Sequence, residues 1–549
     1  MLRDTPRMRT SITTVLALTA TFISSYLGAE TTSKSRPLEL SLQRRDPQTD
    51  KITIQPETID SSKIGVVVID MWNGYMCPTG AELFGGSLVP RMSRALDGAR
   101  TLGMTVIHAP SDVADFYAGW PQAEKVAALP RYELPKVADV AMPGFPGYQD
   151  PCLCGPGIKC PYMHSWDGIH PDLKIADEDY ILVGPSYGER GTQRLHAICR
   201  DRGLTHLIYM GCATNCCVVA KAAGAIYMAN AGIPVILARD LTEAVTKYDP
   251  ESNYTPDDGT TQSVKAIERA SMPTIDMADE LNKVGLWGDN WRTDPVHMFP
   301  HWSDPAEPYT FEDSFVMTLS SPRLPDSQIH YTLDGSEPEL TSAVYTERLK
   351  ISQSGNVRAA AFQGGRQVGL ESKCHFVRII PLPPEPDVHL SDLTPVRATA
   401  PLMLDGHTST GIAENIGIDR SFGDLQLRVQ GTTYEKGMGV HSPSQLLYEL
   451  RPDFEEFVAL AGVDDQVLDH DSGMHVANHP SVVFRVFIDG RQVAESPTIR
   501  TGRTWRFRVK IPPGSELISL ATMDAGDGRF EDVADWVRAG FLLKEIQSR

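Results

Sequence analysis

Three cysteines, Cys212, Cys216 and Cys217, crowd into six positions of "YMGCATNCCVVAKAAG". The apolar run before them, Thr205 to Gly211, reads as a strand. Thr214 or Asn215, both good N-caps, then opens a helix whose first turn carries Cys216 and Cys217. A thiol there faces free N–H groups and the positive end of the helix, which lowers its pKa and raises its thiolate fraction. A nucleophilic thiolate also needs a proton acceptor and donors for the developing oxyanion. "VVVIDMWNGY" ends a second strand in a carboxylate, Asp70. Open α/β sheets gather ligands at the C-terminal ends of their strands, although an aspartate there serves equally often as a turn former.

These two strands belong to a longer pattern. From Lys63 to Leu286 the continuous apolar runs "IGVVVID", "MTVIHA", "DYILVG", "THLIYMG" and "IPVILAR" alternate with amphipathic stretches such as "VPRMSRALDGARTLG" and "GTQRLHAICRDRG". Continuous runs mark strands buried on both faces, and repeated β-α units give a doubly wound parallel sheet between helical layers, a three-layer αβα domain over about 60–286. A Pro- and Gly-rich insertion, about 111–177, interrupts it and carries Cys152, Cys154, Cys160, His164 and His170. Such long irregular segments usually have a function. The Cys-x-Cys-x5-Cys spacing is not a standard zinc knuckle, so disulfides are expected there over zinc.

The formal charge of -19 argues against sequence-independent binding to nucleic acid or anionic membrane. Arg3, Arg7 and Arg9 precede an apolar run from Val15 to Ile23, followed by Leu27-Gly28-Ala29. This reads as a signal peptide over 1–29 with cleavage near Ala29, too short to span a membrane, which predicts an exported chain with no stable membrane anchor. Nine cysteines leave at least one thiol outside any set of pairs.

The strand ending in Asp70, taken with the Gly-x-x-Thr-x-x-Cys-Val turn of Gly211, Thr214, Cys217 and Val218, resembles the isochorismatase-like cysteine hydrolases. The resemblance covers roughly Lys63 to Leu286. It implies Cys217 as nucleophile, Asp70 as general base, and a cis peptide at Cys212-Ala213 that turns backbone N–H groups of the Cys212, Ala213, Thr214 segment toward the oxyanion. Cys212 and Cys216 are read as packing thiols. The family's lysine, at the end of the strand before the nucleophile strand, is replaced by Gly184, so Arg190 or Lys159 is the candidate substitute cation.

Beyond the linker "WGDNWRTDPVHMFPHWSDPAEPY" the pattern changes to short alternating strands. "IHYTLDGSEPELTSAVYTERLKISQSGNVRAAAF" resembles the small β-sandwich at the C-terminus of chitobiase and β-hexosaminidase-type enzymes, here about 309–380. Its Asp334-Gly335 makes a tight turn, and Tyr331 and Tyr345 pack on the core. After "PLPPEPDVHL", residues 388–549 resemble NPCBM, a carbohydrate-binding β-sandwich, through "YEKGMGVHSPSQLLYEL", "FEEFVALAGVDDQV" and "VVFRVFIDGRQVAES". Trp505, Trp536, His441 and Tyr434 are the aromatic candidates for contact with sugar. Asp464, Asp465, Asp469 and Asp471 form an acidic loop that reads as a solvated turn first and a structural calcium site second; no cofactor is otherwise expected.

The expectation is thus an exported cysteine hydrolase acting on an amide-like or ester bond of a small molecule and held to glycan by its C-terminal module. The alternative is a non-catalytic glycan-binding protein on a hydrolase scaffold, suggested by Gly184. A glycosidase is weaker, because no carboxylate pair is marked out for it.

Overall fold

The computed structural model describes residues 35–544 apart from 76, 112, 147–151, 156–167, 184–188, 289–293, 325, 400, 401, 405, 406, 410–415, 469–479 and 530. The signal segment, Lys159, Cys160, His164 and Gly184 therefore lie outside the described residues. No helix among those described is long and apolar enough to cross a membrane.

The first domain contains, in chain order, β1 (Pro37–Arg45), β2 (Ile52–Asp60), β3 (Ile64–Ile69), α1 (Pro78–Ala81), α2 (Val89–Thr101), β4 (Thr105–Ala109), α3 (Pro121–Ala127), β5 (Tyr180–Ile181) and α4 (Glu189–Arg202). It continues with β6 (His206–Cys212), α5 (Cys217–Ala220), α6 (Ala225–Asn230), β7 (Val235–Glu243), α7 (Pro256–Arg269), β8 (Thr274–Ile275) and α8 (Met277–Lys283). The sheet order is β2-β1-β8-β7-β6-β3-β4-β5. Every pairing from β8 through to β5 is parallel. The β1–β2 hairpin, antiparallel within itself and to β8, extends one edge and lies ahead of the strands recognised from sequence.

β3 shows why continuous apolar runs were the right signal. All six of its residues are buried. Val66 and Val68 face α2 and α8 in a core with Met92, Leu96 and Leu281. Val67 and Ile69 face Leu195, Ile198 and Ile267 of α4 and α7 in a second core. Each strand residue has apolar cover, so alternation with polar residues has no place. From β3 the chain winds outward to β4, and from β6 outward to β7, so the order reverses between the neighbours β3 and β6. Their C-terminal ends flank the crevice that such a reversal creates.

Residues 297–378 form two further sheets, built from β9 (His297–Phe299), β10 (Tyr309–Phe311), β11 (Phe315–Ser320), β12 (Gln328–Thr332), β13 (Ala343–Val344), β14 (Leu349–Ile351), β15 (Gly355–Gln363) and β16 (Arg366–Arg378). Their orders are β10-β16-β15-β12-β13 and β14-β11-β9. The segment expected to be a linker thus contributes β9. Its Met298 and Phe299, with Trp302 and Met317, join the same apolar cluster as Val66 and α2, so this β region shares a core with the α/β domain. Tyr331 and Tyr345 pack against that cluster as expected, and Gly335 takes φ +80° in its turn.

The last region, 388–543, has two larger sheets and two short two-stranded ones, around a core of its own that includes Phe457, Phe484, Phe507 and Trp536. Trp536 is fully buried and donates to Thr522 Oγ1 at 3.0 Å. It is a core residue and no sugar platform. His441 is buried as well.

Gly211 adopts φ +111°, and a Cβ there would sit 2.0 Å from the Ile69 carbonyl oxygen. Only glycine permits that approach between β6 and β3. Gly211→Ala is expected to lower stability by about 3 kcal/mol or more, read as a reduced denaturant midpoint with unchanged m-value.

Candidate active site

Asp70 follows β3 directly, has φ 46° and is fully buried. Its Oδ1 accepts the Ser111 backbone N–H at 2.6 Å and its Oδ2 accepts the Ser111 hydroxyl at 3.1 Å. Oδ1 also accepts from Lys221 Nζ at 2.7 Å. The Lys221 ammonium donates in addition to Ala109 O at 2.6 Å and Ser111 Oγ at 2.8 Å. Its three donors are matched by three acceptors from the ends of β3 and β4. The cation expected from Arg190 or Lys159 is therefore found at Lys221. Arg190 lies in the first turn of α4, where its side chain is not described, and Lys159 lies outside the described residues. The overlooked signal was the spacing Cys217-x-x-x-Lys221, one helical turn, which puts both side chains on one face. The Lys221 N–H donates back to the Cys217 carbonyl at 3.3 Å.

The helix opens later than expected. Cys216 is its N-cap, and α5 lasts only from Cys217 to Ala220 before the chain breaks and resumes as α6. Thr214 and Asn215 instead tie the turn to the end of β7. Thr214 Oγ1 bonds Thr242 Oγ1 at 2.7 Å, and Thr242 Oγ1 donates to Gly211 O at 2.8 Å. Asn215 and Val245 exchange two bonds of 3.0 Å. The Thr214 N–H donates to Glu243 O at 2.8 Å. The Cys212-Ala213 peptide is cis.

A four-residue helix carries little dipole, so the thiols depend on each other. Cys217 Sγ lies 3.9 Å from Cys216 Sγ, and both are half-buried. The hydrogen bond from Cys217 lowers the Cys216 thiol to about 7, against the opposing effects of burial and Asp70. The same bond, then burial and Asp70, pushes Cys217 up, while Lys221 pulls it down. The two sulfurs behave as a unit that loses its first proton near neutrality. Cys216 thus packs against the main apolar cluster, as read, and is also the partner of Cys217. Cys212 packs too: it is fully buried, its Sγ is 3.6 Å from Met71 Sδ, and burial raises its pKa.

The turn after β3 is held by the insertion. Trp72 Nε1 donates to Ser111 O at 3.0 Å, and the His170 N–H donates to Met71 O at 2.9 Å. Tyr75, missed in the sequence reading, is buried and stacks on Phe84 at 3.8 Å. Its hydroxyl is pushed well above its usual pKa by burial, with the Cys212 thiol the next contributor. Cys152 and Cys154 are buried together with Cys77, a cysteine the sequence reading had not placed with them. In the last domain Asp464 and Asp465 are buried, whereas Asp469 and Asp471 lie outside the described residues. A cavity of about 580 Å³, lined by Arg91, Arg239, Asp240, Glu268 and Arg323 among others, includes neither Cys217 nor Asp70.

Among solved structures, the chain is similar to a CBM51-2 and INT domain structure of ZmpB from Clostridium perfringens, in complex with GlcNAc, at 26% identity and a TM-score of 0.24, over 35% of this chain and 38% of that one. It is similar to a CBM51 module of a C. perfringens GH95 protein in complex with methyl-galactose, at 28% identity and TM-score 0.22, over 28% of this chain and 98% of that one. It is also similar to a cysteine hydrolase from Pseudomonas syringae pv. phaseolicola 1448A, at 18% identity and TM-score 0.27, over 46% and 98%. Family models match three stretches in succession: residues 157–257 an isochorismatase domain, 305–371 a chitobiase/beta-hexosaminidase C-terminal domain, and 387–542 an NPCBM/NEW2 domain. The chain thus carries, in order, matches to an isochorismatase domain, a chitobiase/beta-hexosaminidase C-terminal domain and an NPCBM/NEW2 domain.

Proposed function

We propose that the α/β domain is a cysteine hydrolase that cleaves an amide-like or ester bond of a small molecule. The buried Lys221–Asp70 pair at the crevice, with the Cys216–Cys217 pair beside it, carries this reading. The Cys217 thiol gives its proton to Asp70 and its sulfur adds to the substrate carbonyl. Backbone N–H groups at Ala213 and Cys217 receive the developing oxyanion. The leaving amine or alcohol takes the proton back from Asp70 as the C–N or C–O bond breaks. Water, deprotonated by Asp70, then cleaves the thioester and restores the thiol. Lys221 orients Asp70 through their 2.7 Å contact and favours thiolate at Cys217. The non-catalytic alternative rested on a missing cation, and Lys221 provides one.

The NPCBM match supports binding of glycan, and with the N-terminal segment it supports an exported protein that works where the glycan is. In that module Asp535 is buried against Asp464 and Asp465, and its carboxyl is pushed well above the usual range by burial and by Asp464. A calcium ion held by Asp464 and Asp535 would let these carboxylates ionise together. Calcium is then expected to raise the melting temperature of this module and EDTA to lower it, with Asp535→Asn insensitive to both.

The hydrolase reading makes two kinetic predictions. Alkylation of the sulfur pair by iodoacetamide, assigned by peptide mapping, rises through an inflection near pH 7. Asp70→Asn moves the inflection down, because the carboxylate raises both thiols, and Lys221→Met moves it up. Asp70→Asn nevertheless loses turnover, by about 10²–10⁴-fold. Shifts of the same sign in both variants, or a pair unreactive at pH 8, would overturn the assignment. In a screen of small amides and esters, intact-mass spectra should show a transient acyl adduct on the Cys217 peptide that is lost in Cys217→Ser; turnover without any adduct would rule out covalent catalysis.

A further inference from the structure

We propose that Cys77, Cys152 and Cys154 bind one thiophilic divalent cation, with zinc the best match, as a structural site separate from the Cys216–Cys217 pair. All three residues are buried, and their Sγ atoms lie within 4.8 Å of one another. Three thiolates around zinc at about 2.3 Å stand roughly 3.8 Å apart, so a small contraction closes the site. Two of the sulfurs already accept hydrogen bonds. Cys77 Sγ receives the N–H groups of Gly80 and Leu153, each at 3.3 Å, and Cys154 Sγ receives the Thr79 hydroxyl at 3.1 Å. Donors aimed at sulfur are the outer contacts that orient metal-bound cysteine ligands. Three converging sulfurs, where a disulfide uses two, match a metal better than a bridge.

The surroundings suit a closed site that holds structure. Gly80 sits so close that a Cβ there would lie 3.4 Å from Cys77 Sγ and 3.0 Å from the Tyr75 ring. Thr79 Oγ1 accepts the His301 N–H at 3.0 Å, which links the cluster to the junction with the β region. The Tyr248 N–H donates to the carbonyl of Leu153, between the two insertion cysteines. The metal would thus fasten α1, the insertion and the segment after β7 at one point. Binding displaces the thiol protons, up to three per ion, and a fourth donor completes the tetrahedron.

The test is the metal content of the full chain, expressed with added zinc and dialysed against EDTA. One zinc per chain is expected in the wild type and in Cys217→Ser, with at least about a tenfold loss in Cys77→Ser and Cys154→Ser. X-ray absorption at the zinc edge of the wild type should show at least three sulfur neighbours at about 2.3 Å, a readout that does not depend on the variants folding. Absence of metal from the wild type, a shell of nitrogen and oxygen only, loss of zinc in Cys217→Ser, or a disulfide between any two of the three cysteines in non-reducing peptide maps would overturn the proposal.

Discussion

The buried ion pair between Lys221 and Asp70 is the constraint on which the site depends. The Lys221 side chain is 5% exposed and that of Asp70 0%. Removing each ion from water costs several kcal/mol, and the mutual attraction offsets this only when the remaining donors and acceptors are also satisfied. Ser111 and Ala109 at the end of β4 provide those partners, Asp70 comes from β3, and Lys221 comes from the end of α5. The pair forms only when three separate stretches of chain are in register. Either charge alone would be stranded, at a cost of about 3–5 kcal/mol.

The turn that carries Cys217 gains its rigidity from the side opposite this pair. Thr214 and Asn215 fasten it to the end of β7, and the Glu243 side chain there accepts from Arg323 of the neighbouring β region and from Thr260 of α7 at 2.8 Å. Because Phe299, Trp302 and Met317 share a core with β3 and α2, that β region is bound up with the α/β domain. The last domain differs. Its core is its own, and it meets the preceding residues through polar contacts such as Arg500 with Glu307 at 2.6 Å.

Much of this was legible in the sequence, for reasons the structure makes plain. The strands of the α/β sheet are buried on both faces, so their apolar runs are unbroken, and the ends of β3 and β6 carry Asp70 and the cysteine turn as read. The β1–β2 hairpin was not legible, because β1 alternates buried and exposed residues, β2 is exposed along nearly its whole length, and neither belongs to a β-α repeat. β9 was hidden in a stretch rich in proline and aromatics. The helix start was misplaced because Thr214 and Asn215 satisfy N-cap rules yet find stronger partners across the sheet, a tertiary contact no local rule contains. Cys77 could not be joined to Cys152 and Cys154, since a separation of more than seventy residues leaves no trace in spacing.

The cation was missed for a different reason. The sequence reading looked for a substitute at Arg190 or Lys159 and did not weigh a residue on the nucleophile's own helix. The chemistry asks only where the charge ends up, and a constellation is defined by the positions of its groups and not by their origin. Lys221, four residues after Cys217, meets that requirement through helix geometry, because i and i+4 side chains share a face. The same ammonium is bonded to Asp70 after β3 and to Ala109 and Ser111 at the end of β4, so one side chain joins the nucleophile's helix to both strand ends.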